Sequence, residues 1–270
     1  MQWLKTWKIA SDFPDGGYSA FHIHEYCEIL YILSGTVCIN TPNKSYVLKQ
    51  GEMMILAPME YHSVEAVGFP YERIGMHVDC DVLQQKGIGP VLSSVLNYHP
   101  EGWTHVFDLK NASGLVESIK EMHKESKNNF PKGGEMLEVL FHHFLLQLYR
   151  IYPQRFKTSA GDELMDSAKK YIETNVGNLP PINKIAGMYY LTTSHFISRF
   201  KSHTGYTPKK YYNLCRMAKA RCLLLETELP LCDIAEMCNF SDLNGFVRSF
   251  RAAMGITPGK FRMLKENEFN

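Results

Sequence analysis

The chain has 270 residues, 45% hydrophobic and 21% charged, the balance of an ordinary soluble protein with room for two domains. No run of about eighteen apolar residues occurs, which excludes a membrane-spanning helix. The opening Met1-Gln2-Trp3-Leu4-Lys5 lacks the features of a secretion signal, so a cytoplasmic protein is expected. The net charge of +1 conceals an asymmetry. Residues 163–270 carry 15 Lys/Arg against 10 Asp/Glu and residues 1–162 carry 14 against 18, which suggests a division of labour.

The first eighty residues read as short strands. Cys27 to Leu33 ends at Ser34-Gly35, Thr36 to Asn40 follows, and Thr41-Pro42-Asn43-Lys44 is a turn. Tyr46 to Leu48 leads to Gln50-Gly51, Met53 to Leu56 ends at Ala57-Pro58, and Glu72 to Val78 is again extended. Strands at this spacing predict a small antiparallel barrel or sandwich. From about residue 83 the period turns helical, with Leu115, Ile119 and Met122 on one face. A longer helix is predicted from Glu135 to Tyr152. Its apolar stripe of Met136, Leu137, Leu140, Phe141, Phe144, Leu145, Leu148 and Tyr152 has two uses open to it, covering the barrel or meeting a twin helix in a homodimer. The polar stretch from Pro153 breaks the period, so 1–152 is expected to be one domain, 153–162 a linker and 163–270 a second, all-helical domain. The seven cysteines (Cys27, Cys38, Cys80, Cys215, Cys222, Cys232, Cys238) are odd in number and form no C-x-x-C pair. They are read as small buried hydrophobes rather than disulfide or zinc ligands.

The second domain contains an internal duplication. Ile185-Ala186 recurs as Ile234-Ala235 and Met188 as Met237, an offset of 49. Phe196 recurs as Phe246, Phe200 as Phe250, Lys201 as Arg251, Gly205 as Gly255, Thr207-Pro208 as Thr257-Pro258, and Tyr211 as Phe261, an offset of 50. Each copy has the logic of a helix-turn-helix. Pro181 to Tyr189 and Pro230 to Cys238 are the first helices. Ser194 to Ser202 and Asp242 to Ala253 are the second, with N-caps expected at Thr192 or Thr193 and at Ser241. Gly205 and Gly255 suit left-handed helix ends, and Thr-Pro restarts the next helix. Pro208 to about Leu225 forms a connecting helix of roughly 27 Å. That length suits two recognition helices about 34 Å, one DNA turn, apart.

These residues carry a resemblance. Ile182 to Arg262, and above all Ile234-Ala235, Asn239-Phe240-Ser241-Asp242, Phe246 to Arg251, Gly255-Ile256-Thr257-Pro258 and Phe261-Arg262, resemble the AraC/XylS-type DNA-binding domain. Asn239 stands where the family usually has Gly, and Asn tolerates the left-handed conformation. By position in that motif, Ser194, Ile197, Ser198 and Lys201 on the first recognition helix would face double-stranded DNA. Leu243, Asn244, Val247, Arg248 and Arg251 would do so on the second. Arg248 suits guanine, Asn244 adenine, Ile197 and Val247 thymine methyls, and Lys201 and Arg251 phosphates. Lys209, Lys210, Arg216 and Lys219 are read as charge around the connecting helix.

Gly16-x5-His22-x-His24-x3-Glu28-x6-Gly35 matches the first cupin motif. Gly51, Pro58 and His62 resemble the second, except that His62 comes one residue early and no Asn follows. The N-terminal region therefore resembles the cupin-like sensor barrel of many AraC-type regulators, an α+β two-domain architecture whose barrel carries a helical dimerisation segment. In metal-binding cupins His22, His24, Glu28 and His62 would be the ligands, a sound donor set for a transition metal. Sensor members generally keep the barrel without the metal, so no cofactor is expected. Trp7, Phe13, Tyr18, His22, His24, Glu28, Tyr31, Tyr61 and His62 are instead the expected lining of a small-molecule pocket. Such a lining suits a sugar or another polyol, as well as other effectors. The resemblance implies a non-enzymatic, effector-controlled transcription regulator, an activator that contacts RNA polymerase. The alternatives are control by a protein partner, and a metal-dependent cupin enzyme fused to a DNA-binding module.

Overall fold

A computed structural model describes residues 4–11, 19–24, 26–41, 44–85, 88–97, 99, 103–128, 130–156 and 163–268. The chain forms two compact units, residues 1–19 with 26–158 and residues 20–25 with 159–270.

Among the described residues seven strands form one sheet: β1 (Leu4–Ser11), β2 (Ser19–His22), β3 (Cys27–Asn40), β4 (Ser45–Lys49), β5 (Glu52–Leu56), β6 (His62–Val78) and β7 (Val106–Asp108). They pair in the order β1-β6-β3-β5-β7, with β2 also on β6 and β4 also on β3. The two strands expected either side of Gly35 are one strand, because Gly35 is a bulge rather than a turn. Its φ is +77°, and a Cβ there would lie 2.3 Å from the Gly68 carbonyl oxygen, so only glycine fits. Register slips between Ile32 and Val37 bend β3 at this point. β6 begins at His62, not near Glu72, and its early half carries Val64 and Ala66 into the core.

Side-chain alternation along these strands sorts two cores. Leu30, Ile32, Met54, Leu56 and Tyr71 pack within the curl of the sheet. Cys27, Ile29, Tyr31, Met53, Ile55, Ile74 and Met76 face the other way. There they meet two helices, α3 (Ser113–Lys127) and α4 (Gly133–Ile151), reached after the short α1 (Cys80–Gln85) and α2 (Pro90–Asn97). Leu137, Phe141, Phe144, Leu145 and Leu148 of α4 are buried in this second core, so most of the long apolar stripe covers the sheet. Met136 stands apart and exposed. A 3-10 turn at Pro153–Arg155 follows. Arg155 Nη1 donates to the Thr104 carbonyl at 2.6 Å, and Phe156 is buried in the same core. Residues 153–156 therefore pack on the first unit instead of serving as linker, and 157–162 lie outside the described residues.

From residue 163 onward the regular elements of the described residues are all helices: α5 (Glu163–Thr174), α6 (Ile182–Met188), α7 (Thr193–Thr204), α8 (Pro208–Glu226), α9 (Leu231–Met237), α10 (Leu243–Met254) and α11 (Pro258–Glu268). The duplication is geometric as well as sequential. Phe196 and Phe200 lie 5.7 Å apart, with Tyr211 edge-on to Phe200 at 5.5 Å. Phe246 and Phe250 lie 5.8 Å apart, with Phe261 edge-on at 5.6 Å. Buried His203 of α7 meets Asp166 of α5 at 2.8 Å and so has a structural place.

All seven cysteines are free, but they are not uniformly buried. Cys27, Cys80, Cys215 and Cys238 are, whereas Cys38 and Cys222 are half-buried and Cys232 is exposed. At position 232 the helix turns outward, and the thiol donates to the neighbouring Asp233 carboxylate at 3.3 Å.

Candidate functional site

Each helix-turn-helix is fixed by its caps. Thr192 caps α7 by accepting from the His195 amide, and Thr207 caps α8 by accepting from that of Lys210. In the second copy Asp242, not Ser241, is the cap: its carboxylate accepts from the Gly245 amide at 2.7 Å, and Ser241 Oγ donates to it at 3.3 Å. A carboxylate outbids a hydroxyl for a helix N-terminus because it adds charge to the hydrogen bond. The Gly245 hydrogen bond holds the Asp242 carboxyl below the usual carboxylate range. Gly205 and Gly255 end α7 and α10 at φ +76° and +75°. Within the turns, Asn239 is left-handed at +58° as expected, and so is Tyr190 at +55°.

Burying Phe196 and Phe200 on one side of α7 turns Ser194, Ser198 and Lys201 to solvent, with Ile197 half-covered. Burying Phe246, Phe250 and Met254 does the same on α10 for Leu243, Asn244, Arg248 and Arg251, with Val247 half-covered. The expected reading faces are thus exposed stripes at i, i+3, i+4 and i+7. Arg216 is not surface charge. Its Nε donates to the Cys238 carbonyl at 2.7 Å and its Nη2 to the Asn239 carbonyl at 2.6 Å. The guanidinium lies 3.4 Å above the Phe240 ring, so Arg216 ties α8 to the turn of the second copy.

The ligand atoms of His22, His24, Glu28 and His62 lie within 4.8 Å of one another. Glu28 and His62 are buried, with His62 Nε2 3.0 Å from Glu28 Oε2. His62 Nδ1 donates to the Glu60 carbonyl at 2.7 Å, which fixes the ring. Three imidazoles and a carboxylate at these separations fit a divalent transition metal. Tyr61 is half-buried beside His62.

Tyr31 does not join this cluster. Three residues along β3 from Glu28, it faces the opposite side of the sheet and lines a groove of about 540 Å³ with Lys110, Ser113 and Glu117. Trp7 pairs with Gly75 in the β1–β6 ladder, but its side chain lies outside the described residues, as do Phe13 and Tyr18.

Sequence reasoning missed three residues of β6. His77 pairs with Glu28 in the ladder, and its Nε2 lies 3.4 Å from Glu28 Oε1. Arg73, opposite Ile32, is 7% exposed, yet its Nε and Nη1 have no hydrogen-bond partner. The hydroxyl of fully buried Tyr71 lies against the Arg73 guanidinium, which opposes the upward push of burial on its pKa. The signal was present in the alternation of Ile74, Met76 and Val78 with Arg73, Gly75 and His77. Buried donors without acceptors are rare enough to require an explanation, and a ligand's oxygen atoms supply one.

Residues 185–263 match the family model of a helix-turn-helix domain, and residues 11–69 that of a cupin domain. The chain is 26% identical over 251 residues to the HTH-type transcriptional activator RhaS of Pectobacterium carotovorum, covering 89% of this chain and 86% of that protein. It is 23% identical over 266 residues to the HTH-type transcriptional activator RhaR of Enterobacter sp., covering 94% and 90%. Among solved structures, ToxT from Vibrio cholerae O395 matches with a TM-score of 0.67 at 14% identity, over 97% of this chain and 98% of that one. Wild-type ToxT from strain SCE256 with bound unsaturated fatty acid matches at 0.66 and 15%, over 96% and 94%. That likeness is one of fold, an N-terminal cupin-like unit followed by a helical helix-turn-helix unit.

Proposed function

We propose how this chain, which belongs to the AraC/XylS family of DNA-binding transcription regulators, joins sensing to transcription: residues 1–156 bind an effector and residues 163–270 read DNA. The faces of α7 and α10 enter successive major grooves. Arg248 and Asn244 bond to bases there, while Lys201 and Arg251 meet phosphates. The relatives are activators by name, and contact with RNA polymerase belongs to the same reading. No catalytic role is assigned to any residue. No helix among the described residues is long and apolar enough to cross a membrane, in keeping with a cytoplasmic regulator.

One observation carries the sensor reading: buried Arg73 has guanidinium nitrogens without a well-placed acceptor inside the sheet's curl, beside the Tyr71 hydroxyl and on the face that also carries Glu28 and His77. Arginine and tyrosine donate to ligand oxygens, and Glu28 accepts from ligand hydroxyls. That pairing selects a sugar or another polyol. If a metal is held by His22, His24, Glu28 and His62, it supplies a Lewis-acid anchor for the same oxygens. The effector acts by binding one arrangement of the regulator more tightly than another.

Thermal unfolding of the full chain against sugars, polyols and small carboxylic acids tests this. A bound ligand at a hundredfold its Kd stabilises by roughly 2.7 kcal/mol. The expected result is a shift with one polyhydroxylated class that disappears in Arg73→Met. That variant also removes the unsatisfied donors, so the ligand-free protein should be no less stable. A shift with carboxylic acids alone moves the effector to that class. A flat response contradicts the sensor reading and leaves the first unit as a dimerisation module.

A further inference from the structure

Glu60, His99 and His105 gather on the first unit apart from the cluster around Glu28, their ligand atoms within 4.8 Å of one another. Glu60 lies between β5 and β6, His99 follows α2, and His105 precedes β7. Glu60 Oε1 accepts from His99 Nδ1 at 2.9 Å and from His105 Nε2 at 3.0 Å. Its Oε2 accepts from the Ala57 amide at 2.8 Å, which orients the carboxylate. The far nitrogen of each ring is also engaged: His99 Nε2 donates to the Val95 carbonyl at 2.9 Å, and His105 Nδ1 meets the Tyr46 hydroxyl at 2.9 Å. The His99 side chain is fully covered and stacks on Trp103 at 3.7 Å. Glu60 and His105 keep 19% and 12% of their side chains exposed, which leaves an approach from one side.

We propose that Glu60, His99 and His105 form a binding site for a borderline divalent cation of the Zn²⁺ class, with water completing the coordination. Two imidazoles and a carboxylate are a recurrent donor set for such ions. Metal-bound histidines characteristically hold their outer N–H on a carbonyl or another oxygen, and Val95 and Tyr46 provide those oxygens here. Around a tetrahedral ion with bonds of about 2.0–2.1 Å, donors stand about 3.4 Å apart, about half an ångström more than the 2.9 and 3.0 Å that separate Glu60 Oε1 from the two imidazoles. Both nitrogens of His99 lie against oxygen atoms, Nδ1 on Glu60 and Nε2 on Val95. Binding breaks the Nδ1–H bond, releases that proton to solvent and forms the bond from Nδ1 to the cation. Burial pushes the Glu60 carboxyl up, but the charge on His99 and the hydrogen bonds from both imidazoles outweigh it. They hold the group well below the usual carboxylate range, ionised as a ligand must be. Because the Glu60 carbonyl accepts from His62, the cation would clamp the turn that presents His62 to the interior.

The test uses full-length protein stripped by chelator, titrated with Co²⁺ and followed by visible absorption. The double variant His24→Gln with Glu28→Gln takes an imidazole and the carboxylate from the other donor cluster and isolates this one. It should still take up one Co²⁺, displaced by Zn²⁺ and accompanied by proton release. Adding Glu60→Gln or His105→Gln should abolish uptake while circular dichroism reports an intact fold. Tyr46→Phe keeps all three ligands and should weaken affinity about 10–100-fold. No Co²⁺ absorption in the double variant, or uptake unchanged when Glu60→Gln is added to it, overturns the proposal. Should the ligand variants fail to fold, unchanged affinity in Tyr46→Phe overturns it.

Discussion

Arg248 and Ser198 occupy the same place in the two helix-turn-helix copies, as do Asn244 and Ser194, and Arg251 and Lys201. All six are exposed, so the difference between the copies is chemical rather than geometric. The second copy offers a guanidinium and an amide, both able to make paired hydrogen bonds to a base edge. The first offers hydroxyls that any base accepts. Arg248→Ala should therefore cost about 1–3 kcal/mol on a preferred duplex and leave nonspecific binding almost unchanged. Ser198→Ala should cost far less. Fluorescence anisotropy on a preferred and a scrambled duplex checks both, and equal losses on the two duplexes for Arg248→Ala would show that it only meets phosphate.

At the scale of elements, the two recognition units share a left-handed residue in the turn, Tyr190 in one and Asn239 in the other. Asparagine adopts that conformation at small cost, and its side chain donates to the Tyr212 hydroxyl at 2.7 Å. Tyrosine has no such compensation and its side chain is 97% exposed. Tyr190→Gly should stabilise the helical unit by about 0.5–1 kcal/mol, read as a rise in its melting temperature. A fall would mean that the exposed ring holds the turn in a way its solvent exposure does not suggest.

The helical elements were legible in the sequence because their period, caps and duplication all specify one packing. The sheet was legible only in part. Gly35 looks like a turn residue until Gly68 and Pro70 are seen across from it. Arg73 and His77 alternate with apolar neighbours as a solvent-facing set would, yet a curled sheet turns that face inward. Tyr31 was misplaced for the complementary reason: strand alternation separates it from Glu28, whatever its aromatic character. The Glu60 cluster draws on three separate connections, and no motif spacing announces such a site.

For the molecule as a whole, the question is how copies associate. The face of α4 not used by the core presents Met136, Val139, His143, Leu146 and Arg150, alternating by three and four residues. That is the spacing a two-stranded coiled-coil seam uses, and we propose that a homodimer forms through it. Val139→Glu with Leu146→Glu should give a monomer by sedimentation equilibrium and leave the first unit folded. A dimer unaffected by both charges would place the interface elsewhere.

Sequence-specific reading of DNA by the helical unit is the claim on which the rest depends. The direct measurement is the affinity of the full chain for a duplex selected from a random pool, compared with a scrambled duplex at fixed salt. The account requires a preference of about 10³-fold or more, with a salt dependence that reports several phosphate contacts. No selectable sequence, or equal affinity for both duplexes, would contradict it.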